Sequence, residues 1–157
     1  MIIKNTIIWE NYLKGKLKCI LKSKAYSFNN IHSEIPDNLG GVYLMTLKSG
    51  KKEYPLYIGR AGRLHQRIYT NHLMGSGSSS QLKKYLLKDE QLKALLKGDW
   101  RKAKEYIKSE CYIRWITDNE ISKNCPLQEE QIYKLRSALE GYFTGMLFPK
   151  YGIYKEH

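Results

Sequence analysis

Residues 40–61 read GGVYLMTLKSGKKEYPLYIGRA, and this stretch decides the fold. Gly40 to Lys48 alternates as a strand, Lys48 to Glu53 supplies a turn around Ser49-Gly50, and Tyr54 to Ala61 returns, so the segment predicts a β-hairpin. Successive strand side chains point to opposite faces, which puts Val42 and Leu44 on one face of the first strand and Leu56 and Ile58 on one face of the second. Those four are the expected core. Tyr43 and Tyr57 have the opposite parity and fall on the same side of the sheet if the aliphatic faces align. The triplet glycines, Gly41 and Gly59, remove bulk beside them and would let a sugar-phosphate backbone approach. An ordinary aromatic cross-strand pair beside turn glycines is the other reading of the same residues.

Downstream, a helix is expected from Arg63 to Leu73. Arg63, Arg67 and Asn71 recur every four residues as a polar stripe beside the apolar Leu64 and Ile68, so a guanidinium is presented next to the hairpin. His72 follows near the end of this helix, in a catalytic role or as a solvated or capping histidine. The run Gly75 to Ser80 reads as a flexible surface loop. Gln81 to Lys97 carries Leu82, Leu86, Leu92, Leu95 and Leu96 on one helical face, and a second short helix spans Trp100 to Lys108. Cys111 to Thr117 is a short strand. Pro126 suits a first helical turn, and the final helix runs to Leu147 with Ile132, Leu135, Leu139, Phe143 and Met146 buried. Glu140 lies at the edge of that stripe, where its carboxylate either points into a cleft or forms an exposed ion pair with Arg136. Upstream, Asn5 to Ser23 is an amphipathic helix with Ile8, Tyr12, Leu17, Ile20 and Leu21 at helical spacing, and Ser27 to Asn38 is a loop.

The chain of 157 residues is the length of one domain. Its 27 Lys and Arg against 15 Asp and Glu leave a formal net charge of +12, which attracts polyanions through a long-range, salt-sensitive force. Nucleic acid is the natural partner, and 13 tyrosines interleaved with lysines suit contacts to bases and phosphates. Cys19, Cys111 and Cys125 form no C-x-x-C pair and no even disulfide set, which argues against a zinc site or a stapled secreted fold. No signal h-region or membrane-crossing run is seen near the N-terminus, so no membrane partner is expected and a reducing cytoplasm is the expected compartment.

Gly41-Val42-Tyr43, Tyr57-Ile58-Gly59, Arg67 ten positions after Tyr57, and Glu140 on a later helix followed by Pro149 together resemble the GIY-YIG nuclease superfamily. The resemblance covers 40–72 and 111–151. It departs at Asn71, where many members carry histidine while here His72 comes one residue later, and at Gly152, where an asparagine is expected. It implies an α+β fold with a small, mostly antiparallel three-stranded sheet flanked by helices, as one domain over 1–157. Residues 1–39 would be an N-terminal helical extension and 75–109 a helical insertion.

The implied activity is metal-dependent hydrolysis of DNA phosphodiesters. Glu140 would hold Mg²⁺ or Mn²⁺, and Arg67 would bind the phosphate oxygens. Tyr43 or Tyr57 would orient or deprotonate water, Arg60 would lower the pKa of that tyrosine, and His72 would assist. Arg63 and Asn71, with Lys83 and Lys84 of the insertion, are expected to contact nucleic acid. The small stand-alone chain resembles the type II restriction endonuclease branch, for which a homodimer is expected. A non-catalytic nucleic-acid-binding module on the same scaffold is the alternative.

Overall fold

The computed structural model describes residues 2–76, 78–126 and 131–152. Helix α1 (Ile2–Lys22) leads through the two-residue strand β1 (Tyr26–Ser27) and the single turn α2 (Ile31–Glu34) into the hairpin β2 (Gly41–Ser49) and β3 (Lys52–Ala61). A π-helix (Gln66–Leu73) follows, then α3 (Gln81–Lys88), α4 (Lys93–Leu96), α5 (Trp100–Glu110), β4 (Cys111–Thr117), α6 (Asp118–Ser122) and α7 (Ile132–Leu147). Among the described residues, no helix is long and apolar enough to cross a membrane.

The fold is α+β, and among the described residues its antiparallel sheet has four strands rather than the expected three, in the order β1-β4-β2-β3. The added strand lies at the boundary of the stretch read as a loop. Tyr26 pairs with Ile113 and stacks on Trp115 with ring centroids 4.7 Å apart, a cross-strand aromatic contact that holds a segment too short to show periodicity.

Helices cover both faces of the sheet. Val42, Leu44, Ile58 and Ile116 pack against Tyr12 and Ile20 of α1 and Leu135, Leu139 and Phe143 of α7. Tyr43, Met45 and Ile113 pack on the other side with Ile68, Leu82, Leu86 and Ile107. Residues 1–39 contribute to both sides, Tyr12 and Ile20 to the first and Phe28, Ile31 and Ile35 to the second, where they meet the helices of 75–109. Leu56 is buried as expected but joins the Tyr43 face, because the β2/β3 register shifts between Met45 and Thr46. An extra residue in one strand reverses facing from that point on.

Several expected boundaries move. The Gln81–Lys97 helix breaks at Asp89, whose carboxylate accepts the Gln91 N–H and the Tyr151 hydroxyl and pairs with Lys150 at 2.8 Å. Pro126 lies ahead of α7, which starts at Ile132, and Met146, Ile8 and Leu21 are exposed. On α1 the buried positions include Tyr12, Lys16 and Ile20, and Lys16 donates to the carbonyls of Glu120 within α6 and of Lys123 just after it. The helix after β3 is a π-helix, with the Met74 N–H on the Tyr69 carbonyl at 2.9 Å.

The triplet glycines serve the protein's own packing rather than an approaching ligand. Tyr43 faces Gly59 across the ladder, and a β-carbon on Gly59 would overlap the Tyr43 phenol. A β-carbon on Gly41 would strike the Ile116 carbonyl oxygen. Gly59→Ala should therefore lower stability by roughly 2–4 kcal/mol in urea unfolding. Gly141→Ala, on α7 where an added β-carbon meets nothing within 4 Å, should raise it by about 0.5–1 kcal/mol. Equal effects at the two positions would contradict this packing.

Candidate active site

β3 is an edge strand, so groups from both sheet faces meet along its free side. Tyr57 comes from one face, and Arg60, three residues on, comes from the other. The π-helix brings Arg67 and His72 to the first side, and α7 brings Glu140 to the second. The chain after α7 returns to the same strand, where the Tyr151 N–H donates to Leu56 O at 2.9 Å and Gly152, at φ +88°, lies beside the Tyr57 ring.

The innermost part is a buried polar chain. The Tyr43 hydroxyl lies 2.6 Å from Nε2 of His72, and Nδ1 of His72 lies 2.9 Å from Ser80 Oγ. Ser80 caps α3 by accepting the Lys83 N–H at 3.1 Å. All three side chains are at most 1 % exposed. His72 is thus neither solvated nor at a free helix end. It follows Arg67 by five residues, which in an α-helix is a rotation of about 140° away from the same face. A π-turn closes on the fifth residue instead, so the extra residue is absorbed and both side chains reach the site.

Burial dominates the electrostatics. It pushes the Tyr43 phenol well above its ordinary pKa and raises that of Tyr57, with the Glu140 charge adding to both. Burial, helped by the charges of Arg67 and Lys83, drives His72 down to about 3, so the ring is neutral. Glu140 is raised by burial against the opposing pull of Arg60 and Arg67. The expectation that Arg60 lowers a tyrosine pKa is not met: Arg60 bonds Glu140 at 2.9 Å and Ser137 at 3.1 Å, and the cation that pulls on both phenols is Arg67. Arg67 is exposed, and its guanidinium makes no hydrogen bond or ion pair among the described residues.

Glu140 pairs with Arg60 and not with Arg136, which instead grips Asp118 through two bonds of 2.8 and 2.6 Å. Two concavities flank Arg67. One of about 370 Å³ is lined by Arg63, Gln66, Arg67 and Asn71, and the other, of about 210 Å³, by Arg60, Arg67, Tyr133 and Arg136. Arg63 and Asn71 therefore stand where a phosphate backbone could pass, and Lys84 is exposed on α3. Lys83 is not available to nucleic acid: it is fully buried, and its ammonium donates to the carbonyls of Leu73 and Gly75, where it closes the end of the π-helix. Burial lowers its pKa to about 8.

No three His, Cys, Asp or Glu side chains cluster as a metal cage among the described residues. A single half-buried carboxylate still suits a hard cation that keeps most of its water. Sequence reading missed Ser80, which belongs to a run read as surface loop, although a serine just before a helical segment is itself a cap signal. It also missed Ser137, Gln66 and the Asp118 partner of Arg136, for which the linear chain carries no signal. Compared with known family models, curated proteins and solved structures, the chain matches none.

The neutral His72 links stability to pH. Its folded pKa of about 3 lies below the unfolded value near 6.5, so the contribution is complete above pH 6.5 and is lost as pH falls toward 3. Between pH 7 and pH 5 this group should cost about 2 kcal/mol in urea unfolding. His72→Gln should flatten that difference by the same amount, and parallel pH profiles for the two proteins would contradict the buried neutral imidazole.

Proposed function

We propose that this chain is a metal-dependent DNA endonuclease of the GIY-YIG type. The observation that carries the reading is the convergence beside one edge strand of an exposed guanidinium with no partner among the described residues, a half-buried carboxylate and a half-buried tyrosine backed by a second, buried one, next to arginine-lined concavities. Phosphodiester hydrolysis needs a site for the anionic phosphate, stabilisation of charge growing on its oxygens, and an oriented water. Arg67 supplies the first two: it lies near enough to the phenols to act on both, with no partner among the described residues to compete for it, and its planar fork matches two phosphate oxygens. Arg63, Gln66 and Asn71 continue the groove along the backbone on one side of Arg67, and Arg136 on the other.

Glu140 is the residue that would hold Mg²⁺ or Mn²⁺, with Arg60 releasing or sharing the carboxylate. The ion, when bound, would supply positive charge beside the leaving oxygen. Tyr57 is the group placed to orient the attacking water, since it is half-exposed while Tyr43 is sealed behind it. Its phenol must lose its proton to act as a base. Burial and Glu140 oppose that, and Arg67 and the neighbouring Tyr43 hydroxyl favour it. Tyr43 and His72 serve as a rigid backing for Tyr57. Restriction-type cleavage by a homodimer is the finer form of this proposal.

Supercoiled plasmid with Mg²⁺ or Mn²⁺ tests the reading. Wild type should cut, and Arg67→Ala and Glu140→Ala should each lose at least about 100-fold in rate. Glu140→Ala should still retard plasmid on a gel, and discrete linear fragments would support the restriction form. Binding without cutting by all three proteins would favour the non-catalytic nucleic-acid module, and equal cutting by all three would remove this site.

A further inference from the structure

We propose that Ser80 is a positioning residue that fixes the proton of His72 on Nε2, so that hydrogen bonds run one way from the Lys83 N–H through Ser80 and His72 to Tyr43. Its consequence for catalysis rests on the nuclease reading above, whereas the tautomer itself does not.

Hydrogen-bond accounting carries the inference. A serine hydroxyl has one proton and two lone pairs. The Lys83 N–H, at 3.1 Å, occupies one lone pair of Ser80. If His72 carried its proton on Nδ1, that N–H would take the second lone pair. The Ser80 proton would then have no acceptor among the described residues, because the only other partner of Oγ is this imidazole nitrogen, 2.9 Å away. Ser80 is 0 % exposed, so water does not rescue it. An orphaned buried donor is strongly disfavoured. With the proton on Nε2, Ser80 donates to Nδ1 and Nε2–H donates across 2.6 Å to the Tyr43 oxygen, which leaves the Tyr43 proton, on a side chain 1 % exposed, to be taken by the Tyr57 hydroxyl, the hydrogen-bonding neighbour on its other side.

The Tyr43 proton is then free to turn away from His72, toward Tyr57, whose ring centroid lies 6.3 Å away. A donor aimed at the Tyr57 oxygen favours its ionised form, and the neighbouring Tyr43 hydroxyl does pull the Tyr57 pKa down while its own is raised. The opposite tautomer would commit the Tyr43 proton to Nε2 and withdraw it from Tyr57. Ser80 thereby acts on the candidate base through two intervening side chains without touching substrate. The cap of α3 is what holds Ser80 in place, so an insertion helix is tied to the chemistry at the sheet edge.

Long-range ¹H–¹⁵N correlation on histidine-labelled protein at neutral pH reads the tautomer directly. In wild type, His72 should show a protonated Nε2 and an unprotonated Nδ1. Ser80→Ala should lose that preference and, in the plasmid assay, lower kcat about 10- to 100-fold with KM unchanged. Ser80→Thr, which keeps the hydroxyl, should restore both. A wild-type proton on Nδ1, or a Ser80→Ala protein that folds and keeps the Nε2 tautomer, overturns the proposal. If Ser80→Ala does not fold, the wild-type tautomer decides alone. If wild type cuts no DNA, the nuclease reading fails while the tautomer still decides for or against Ser80.

Discussion

The hydrogen bond between Tyr43 and His72 is the contact on which the rest of the site depends. It can form only because three separate pieces of local chemistry agree. Gly59 leaves the space that the Tyr43 phenol fills. A π-turn rotates His72 back toward the sheet, five residues after Arg67. The buried ammonium of Lys83 then ties off the Leu73 and Gly75 carbonyls where that helix ends. A phenol and an imidazole buried without partners would each cost about 1–3 kcal/mol, so mutual satisfaction, with Ser80 as the third member, is a condition for burying them. Once buried, they form a fixed wall against which Tyr57 rests, with ring centroids 5.5 Å from His72 to Tyr57.

In front of that wall, charge is divided into committed and uncommitted cations. Arg60 is held by Glu140, Arg136 by Asp118, and Lys83 by backbone carbonyls, so none of these contributes a free charge to the groove. Arg67 does. Its field reaches both tyrosines, His72 and Glu140. Electrostatic catalysis depends on charges fixed in place before the reaction, and under the proposed function a guanidinium carried on a helix, with no counter-ion among the described residues, would supply such a charge. The net charge of +12 brings a polyanion near, while the groove around Arg67 determines where it would settle.

How much of this the chain discloses depends on whether the signal is local. The hairpin was legible from strict alternation and a Ser-Gly turn, and the shared face of Tyr43 and Tyr57 followed from parity. Leu56 escaped because a bulge is one residue of irregular backbone with no composition of its own. The fourth strand of the sheet was hidden for a similar reason: β1 is two residues held by a ring stacked on Trp115 from far along the chain. His72 comes five residues after Arg67, a spacing that an α-helix would turn away from the same face and that the π-helix, which nothing in the sequence signals, brings back to it. Lys83 and Lys84, adjacent and chemically alike, were indistinguishable on paper, yet the helix turns one into the core and the other to solvent. Arg60 was expected to act on a tyrosine, and an ion pair with Arg136 was one of two fates open to Glu140; in the fold Arg60 takes Glu140 and Arg136 takes Asp118.

A double-mutant cycle between Tyr43→Phe and His72→Phe, read by urea unfolding at pH 7, tests the central contact most directly. The two substitutions should be coupled by about 1–2 kcal/mol, because either one alone leaves the other polar group buried without its partner. Additive effects, within about 0.5 kcal/mol, would show that Tyr43 and His72 do not form this bond and would remove the foundation of the site.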